Sequence, residues 1–323
     1  MRFGPVDLAD AEGAILAHSV TLPKGRLRKG VTLDGGAIDM LRAAGVSEVT
    51  VARLDADDVH EDRAAERLAQ ALVPDPAVAN LRVAPASTGR VNIYATKIGV
   101  ASIDAERINA VNAVHPMVTV ATVPEWHRMA ARGMVATVKI ISYGAPEVAV
   151  AAACSAGQDA LALRPVKRNR ALLIQTSVGG RDDGSKGQRA MATRFDRLGV
   201  TLGPKKVVPH QIAALRDALL QVVAEYDILC VLTGSATSDL YDVAPEAVRA
   251  AGGEVVHYGM PVDPGNLLFW GHLNDTPVIG LPGCARSPAL NGADWVLERL
   301  LCDVPVSASD IMGMGVGGLL KEP

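Results

Sequence analysis

The chain has 323 residues, nearly half of them apolar, with 32 basic against 35 acidic side chains and a formal net charge of −3. Charges of both signs are interspersed, so there is no electrostatic footprint for nucleic acid, and no apolar run approaches the roughly 18–20 residues that span a bilayer. The N-terminus, MRFGPVDLADAEG, lacks the basic and apolar regions of a signal peptide. Cys154, Cys230, Cys284 and Cys302 are too scattered for a zinc or redox spacing. A cytoplasmic protein with reduced thiols is therefore expected, with no metal-ligand set assignable.

The pattern divides the chain at about residues 75 and 165. In 1–75, RKGVTLDGGAIDMLRAAGVSEVTVARL reads as turn, short helix, a stop at Gly45, then strand. DDVHEDRAAERLAQAL follows as a charged helix, with Ala64, Ala65, Leu68 and Leu72 at helical spacing. Two prolines in VPDPAVAN mark a linker. In 81–165, GRVNIYATKIG is extended, IDAERINAVNAV helical and MVATVKIISYG a strand, with His115 extended because Pro116 follows it.

From 166 to the end, strands and helices alternate with the rhythm of a parallel sheet. ALLIQT, DILCVLT, VVHYG, LLFWG and PVIGL read as strands. KGQRAMATRFDRLG, HQIAALRDALLQVVAEY, EAVRAAGG and SPALNGADWVLERLL read as helices, the last with Ser287 as N-cap and Pro288 as the first helical residue. The fold class expected is α/β: a C-terminal three-layer α/β/α domain with a mostly parallel sheet, preceded by smaller α+β domains.

In such sheets ligands bind beyond the carboxyl ends of the strands. The loops there are TSVGGRDDGSKG, TGSATSDLYD and LPGCAR, rich in Gly, Ser, Thr and Asp, with Arg181, Lys186 and Arg286 among them. Small residues let backbone amides reach an oxyanion, and an aspartate can hold a ligand hydroxyl or a divalent cation on phosphates. A phosphorylated, polar small molecule fits this surface.

TGSATSDLYDVAPEA and GLPGCARSP, in that order, resemble the two signature loops of the molybdenum-cofactor biosynthesis (molybdopterin-binding) domain family, a likeness covering about 166–302. RKGVTLDGGAIDMLRAAGVSEVTV and TVATVPEWHRMAARGMVATVKIISYG are similar to the molybdopterin molybdotransferase-like subgroup, related to the part found fused to cofactor nucleotidyltransferases. The resemblance implies molybdopterin or adenylylated molybdopterin as ligand, Mg²⁺ as a candidate companion, and a homodimer. It places Thr233, Gly234, Ser235, Thr237, Ser238, Asp242, Gly283, Cys284, Arg286 and Ser287 at the ligand, with Asp242 and Ser287 as the catalytic candidates.

The departures are informative. Where molybdotransferases carry a Lys-Pro-Gly-Lys element for molybdate, MPVDPGN puts Asp263 and Asn266. One unit charge close to an oxyanion is worth on the order of 1–4 kcal/mol in a solvated site, so molybdate held in the usual way is not expected. The family's Pro-Asp after the second strand is Pro209-His210.

Each assignment has a plainer counterpart. Asp242 is either a ligand acid or the N-cap of the VAPEAV helix; Arg286 either a phosphate fork or a solvated loop charge. Cys284 is either a soft molybdenum ligand or a small packed thiol. His115 and His210 read as structural or solvated, Asp239 as solvent-exposed, and Asp263 as a turn acid. One of Arg181, Asp182, Asp183 and Lys186 is expected to touch ligand. The functions implied are molybdenum insertion into (adenylylated) molybdopterin, or non-catalytic delivery of the cofactor to a nucleotidyltransferase or molybdoenzyme. A sugar-phosphate or nucleotide enzyme fits the loops alone.

Overall fold

The computed structural model describes residues 1–180 and 183–320. They form two compact units. The first comprises 1–96, 101–127 and 131–163; the second comprises 97–100, 128–130 and the chain from 164 onward.

The first unit opens with an antiparallel sheet in which Glu48–Arg53 lies between Arg2–Asp7 and Ile15–Leu16. Helix Gly35–Ala43 closes its core of Leu8, Leu16, Leu33, Ile38, Leu41, Val49 and Val51. Asp34 caps that helix by accepting the Ala37 N–H, and Gly45 after its end has φ +78°, the left-handed region glycine takes without penalty. The charged helix starts later than its sequence suggests, at Glu61, because Asp58–His60 pairs as a strand with Gly144–Pro146. Ala64, Ala65, Leu68 and Leu72 are all fully buried, as their spacing requires. The VPDPAVAN stretch is a turn in which Asp75 accepts the N–H groups of Ala77 and Val78. A four-stranded sheet follows, in the order Val118–Thr122, Met134–Ile140, Arg90–Ala95, Leu81–Val83, with helices Ala105–Val114 and Glu147–Ala156. His115 is extended at φ −159°, ψ 138°.

The second unit carries a seven-stranded sheet. In chain order its elements are β1 (Arg170–Ser177), α1 (Ser185–Asp196), β2 (Thr201–Leu202), β3 (Lys206–Pro209), α2 (Ile212–Val222), β4 (Ile228–Leu232), α3 (Val243–Ala250), β5 (Glu254–Tyr258), β6 (Phe269–Leu273), β7 (Thr276–Leu281) and α4 (Gly292–Leu301). β2 and β3 both pair with β1, and the order runs on through β4, β7, β6 and β5. β1, β3, β4 and β7 are parallel, whereas β6 and β5 are antiparallel additions at one edge. β4 is buried at all five positions, because a central strand is covered on both faces. One face packs Met191 and Phe195 of α1 and Val296, Leu297 and Leu301 of α4; the other packs Leu215 and Leu219 of α2 and Ala247 and Val248 of α3. The expected three-layer α/β/α arrangement is thereby realised.

The closing helix begins later than the sequence reading had it. Ser287 does not cap it: its backbone is extended, and it ends a short 3-10 turn, Gly283–Arg286. α4 starts at Gly292 behind Asn291, whose side chain accepts the Ala293 N–H while Asp294 accepts the Asn291 N–H. This reciprocal box satisfies two orphan donors at once, which one serine hydroxyl four residues upstream cannot do.

On α4, Glu298 lies 3.2 Å from Arg128 and is 14% exposed. Burial, reinforced by Asp294 and opposed by Arg128, pushes its carboxyl up to about 7 from an ordinary 4.5. Between those two values the folded chain holds a proton that the unfolded chain has lost. Stability therefore falls as pH rises through that window, by up to roughly 3 kcal/mol. Glu298→Gln should flatten this dependence in denaturant titrations at pH 5 and pH 8. A variant that tracks the wild type at both pH values would show that Glu298 is not the group responsible.

Candidate functional site

In-register pairs Gln175↔Leu232 and Leu232↔Leu281 bring the carboxyl ends of β1, β4 and β7 level, and Ser177↔Pro209 adds that of β3. The loops 178–184, 233–242 and 282–291 therefore leave the sheet along one edge. A cleft of about 430 Å³ lined by Arg168, Trp270, His272 and Asp303 includes the β6–β7 turn residues Asn274 and Asp275, on the other edge.

Loop 233–242 is fastened to both neighbours. Gly234 donates its N–H to Thr176 Oγ1 at 2.9 Å, and Arg286 Nη2 donates to the Thr233 carbonyl at 2.8 Å. Only glycine fits at 234, since a Cβ there would lie 2.6 Å from the Thr176 carbonyl oxygen. Thr233 and Thr237 are buried with their hydroxyls 3.2 Å apart, and the Tyr258 hydroxyl donates to the Thr237 carbonyl. Burial, then Asp239 and Asp242, raises the Tyr258 phenol above its usual range.

The strand therefore ends in a bare stretch of main chain. Among the described residues, the N–H groups of Ser235, Ala236 and Thr237 have no hydrogen-bond partner. Ser235, Ala236 and Ser238 are exposed and small. Unpaired main-chain amides and a nearby guanidinium are donors of the kind that anions use.

Asp242 adopts the plainer of its two expected geometries. It caps α3, one carboxylate oxygen accepting from Val243 N at 2.6 Å and the other from Ser238 N at 3.0 Å. Asp239 is exposed and accepts from Tyr241 N. In the third loop, Gly283, Cys284 and Ser287 are exposed and Arg286 is half-buried. The Cys284 thiol is no packed core group: it accepts from Asn291 Nδ2 at 3.0 Å. Ser287 Oγ accepts from Ala289 N at 3.3 Å.

Two residues outside the sequence shortlist hold this loop. Arg194 of α1, 6% exposed, bonds Asp294 through Nε at 2.5 Å and donates to the carbonyls of Ala285 (3.1 Å) and Ala289 (3.0 Å). Asn291 caps α4 and meets Cys284. The N-x-x-D box was readable from spacing, whereas nothing local to Arg194 announces partners about a hundred residues away.

In the first loop, Arg181 and Asp182 lie outside the described residues. Asp183 is held at about 2 by the Ser185 hydroxyl and amide and by Lys205, which keeps it charged just ahead of Gly184, the N-cap of α1. Lys186 is exposed. Beneath, Gln175 donates to the Gly184 carbonyl, while the enclosed Gln175 Oε1 and Ser177 Oγ have no partner among the described residues. Enclosed polar atoms are seldom left so.

The MPVDPGN segment lies against α4: the Pro264 carbonyl accepts from Gly292 N at 2.8 Å. Asp263 exchanges main-chain bonds with Gly318 and Leu320, and Asn266 is exposed and donates to the Met260 carbonyl at 3.3 Å. No group of three or more His, Cys, Asp or Glu side chains with metal-binding geometry occurs among the described residues.

A mostly parallel three-layer sheet with an amide-lined loop cluster at its strand ends defines a small-molecule-binding α/β domain. Residues 183–301 match the family described as "Probable molybdopterin binding domain". Residues 5–53 match a domain of unknown function (DUF8806). Among curated proteins none matches. Similar solved structures include a molybdopterin biosynthesis MoeA protein from Pyrococcus horikosii (14% identity, 94% of this chain and 75% of that one, TM-score 0.33). A molybdenum cofactor biosynthesis protein from Pyrococcus furiosus is 13% identical over 97% of this chain and 65% of its own, with a TM-score of 0.27. MogA is 21% identical over 42% and 91%, with a TM-score of 0.29. No helix among the described residues is long and apolar enough to cross a membrane.

Proposed function

We propose that this protein binds molybdopterin or adenylylated molybdopterin across Thr233–Ser238 and Gly283–Ser287, and acts at the molybdenum-insertion stage. The observation that carries this is the run of unpaired amides at Ser235–Thr237 beside Arg286. Such a run takes a phosphate through main-chain donors and a planar fork. The orphaned Gln175 Oε1 and Ser177 Oγ supply acceptor capacity under the first loop, suited to a ligand that also donates, as a pterin does. Asp242 braces the loop through Ser238 and would act through it, with Mg²⁺ as the ligand's companion. Ser287 and Cys284 would face the metal-bearing end.

The alternative, a carrier that delivers the cofactor to a nucleotidyltransferase or a molybdoenzyme, is favoured by Asp263 and Asn266. An acid and an amide replace the cations that hold molybdate in the resembling subgroup. Both readings are compatible with a cytoplasmic homodimer.

Anaerobic native mass spectrometry of the protein with each pterin, with and without molybdate, separates them. Loss of adenylate with gain of molybdenum means insertion. Binding without mass conversion means carriage, and binding of neither pterin removes the cofactor assignment.

A further inference from the structure

His210 stands at the carboxyl end of β3, tied to β1 by its own N–H on the Ser177 carbonyl at 3.0 Å. Its ring Nδ1 lies 2.8 Å from Thr176 Oγ1, and the same oxygen accepts the Gly234 N–H at 2.9 Å. Thr176 is 2% exposed, so its hydroxyl has few other places to send its proton. A threonine hydroxyl has one proton and two lone pairs. With Gly234 on one lone pair, the proton is free to go to Nδ1. That order, Gly234 N–H to Thr176 Oγ1–H to His210 Nδ1, is satisfied throughout only if the imidazole is neutral and carries its hydrogen on Nε2. Nε2 lies across the ring from Nδ1, so its N–H is directed away from Thr176. Among the described residues no group bonds to it.

The chain of bonds begins at the first residue of the bare loop and ends in an unused donor. Gly234 immediately precedes the unpaired amides of Ser235–Thr237, so the imidazole is linked through Thr176 to the start of that run. An aspartate at this position, the residue type the resembling family carries, would present acceptors and repel an anion; a histidine presents a donor.

We infer that His210 is a ligand-binding residue of this site, fixed by Thr176 in the Nε2–H form and donating that hydrogen to an anionic phosphate oxygen of the ligand. The inference rests on the cofactor reading above for the identity of the ligand, but not for the anion chemistry. At this position the phosphate oxygen meets a donor rather than a bridging cation, since a bound Mg²⁺ needs an acceptor where His210 offers a donor.

The decisive measurement is nitrogen-detected imidazole spectroscopy of the full chain with ¹⁵N-labelled histidine, the His210 signals being assigned by their loss in His210→Gln. The expected spectrum shows an unprotonated Nδ1 and a protonated Nε2, and inorganic phosphate moves the Nε2 resonance selectively. In parallel, His210→Phe should bind molybdopterin about 10- to 100-fold more weakly, the loss of one hydrogen bond to a charged group. His210→Gln, whose amide can reach the Nε2 position, should lose less. An Nδ1–H tautomer, a phosphate titration that leaves Nε2 unmoved, or wild-type affinity in His210→Phe would each overturn the assignment. If the wild type takes no molybdopterin while phosphate still moves Nε2, the cofactor reading fails and the role of His210 stands. The spectra are taken on the wild type, so they decide the matter even if a variant does not fold.

Discussion

Arg194→Met should cost the second unit about 3–5 kcal/mol of stability, the largest loss expected from any single side chain described above. The guanidinium is enclosed and bonds the Asp294 carboxylate together with the carbonyls of Ala190, Ala285 and Ala289. Methionine fills much of the same space but leaves a largely buried carboxylate without its cation and two loop carbonyls without donors. Asp294→Asn should cost less, because an amide oxygen still accepts from Arg194 and from Asn291 N. Urea denaturation of the three proteins checks both statements. A wild-type midpoint in Arg194→Met would mean that the pair adds nothing. The same substitution should loosen the 282–291 loop, so pterin affinity is expected to fall even where the protein is fully folded.

Gly280→Ala is the second large effect. Gly280 lies directly across from Phe269 in the β6–β7 ladder, and the ring of Phe269 covers it. A Cβ at 280 would fall 1.9 Å from Phe269 Cε1, with two further ring atoms within 2.6 Å. Phe269 is fully buried among Leu172, Leu229 and Val278, so the ring has nowhere to swing. Overpacking of this kind costs about 3 kcal/mol, and more when a central strand must shift. Phe269→Leu made together with Gly280→Ala should be less unstable than the sum of the two single changes, because the smaller side chain vacates the disputed volume. Strict additivity in calorimetric or denaturant measurements would show that the two residues do not meet.

These two positions illustrate what the sequence could and could not show. The alternation of strand and helix after residue 166 was legible because each element carries its own apolar period and its own glycine stop. The fully apolar β4 and the helix α1 lie where that reading puts them. The start of α4 was misplaced because SPALNGAD contains two cap signals, Ser-Pro and Asn-x-x-Asp, and only the second closes a reciprocal box. Arg194 looks like one more helix cation; its burial depends on carbonyls from a loop about ninety residues away, which no local pattern encodes. Gly280 reads as a weak point in a strand until Phe269 is placed opposite. Of the site itself, the small polar loops were legible as composition. The unpaired amides and the Thr176–His210 bond were not, because they depend on which groups the neighbouring strands leave over. His210 looked inert for want of a metal-ligand spacing, although its chemistry comes from a threonine on another strand.

The fastenings of the loop cluster also bear on how a bound ligand stabilises the protein. Gly234 to Thr176 spans 58 positions, Arg286 to Thr233 spans 53 and Arg194 to Asp294 spans 100. None of these bonds is local, so the loop cluster is assembled only by residues far apart in the chain. A ligand that recognises this edge adds its binding free energy to the whole second unit rather than to one loop.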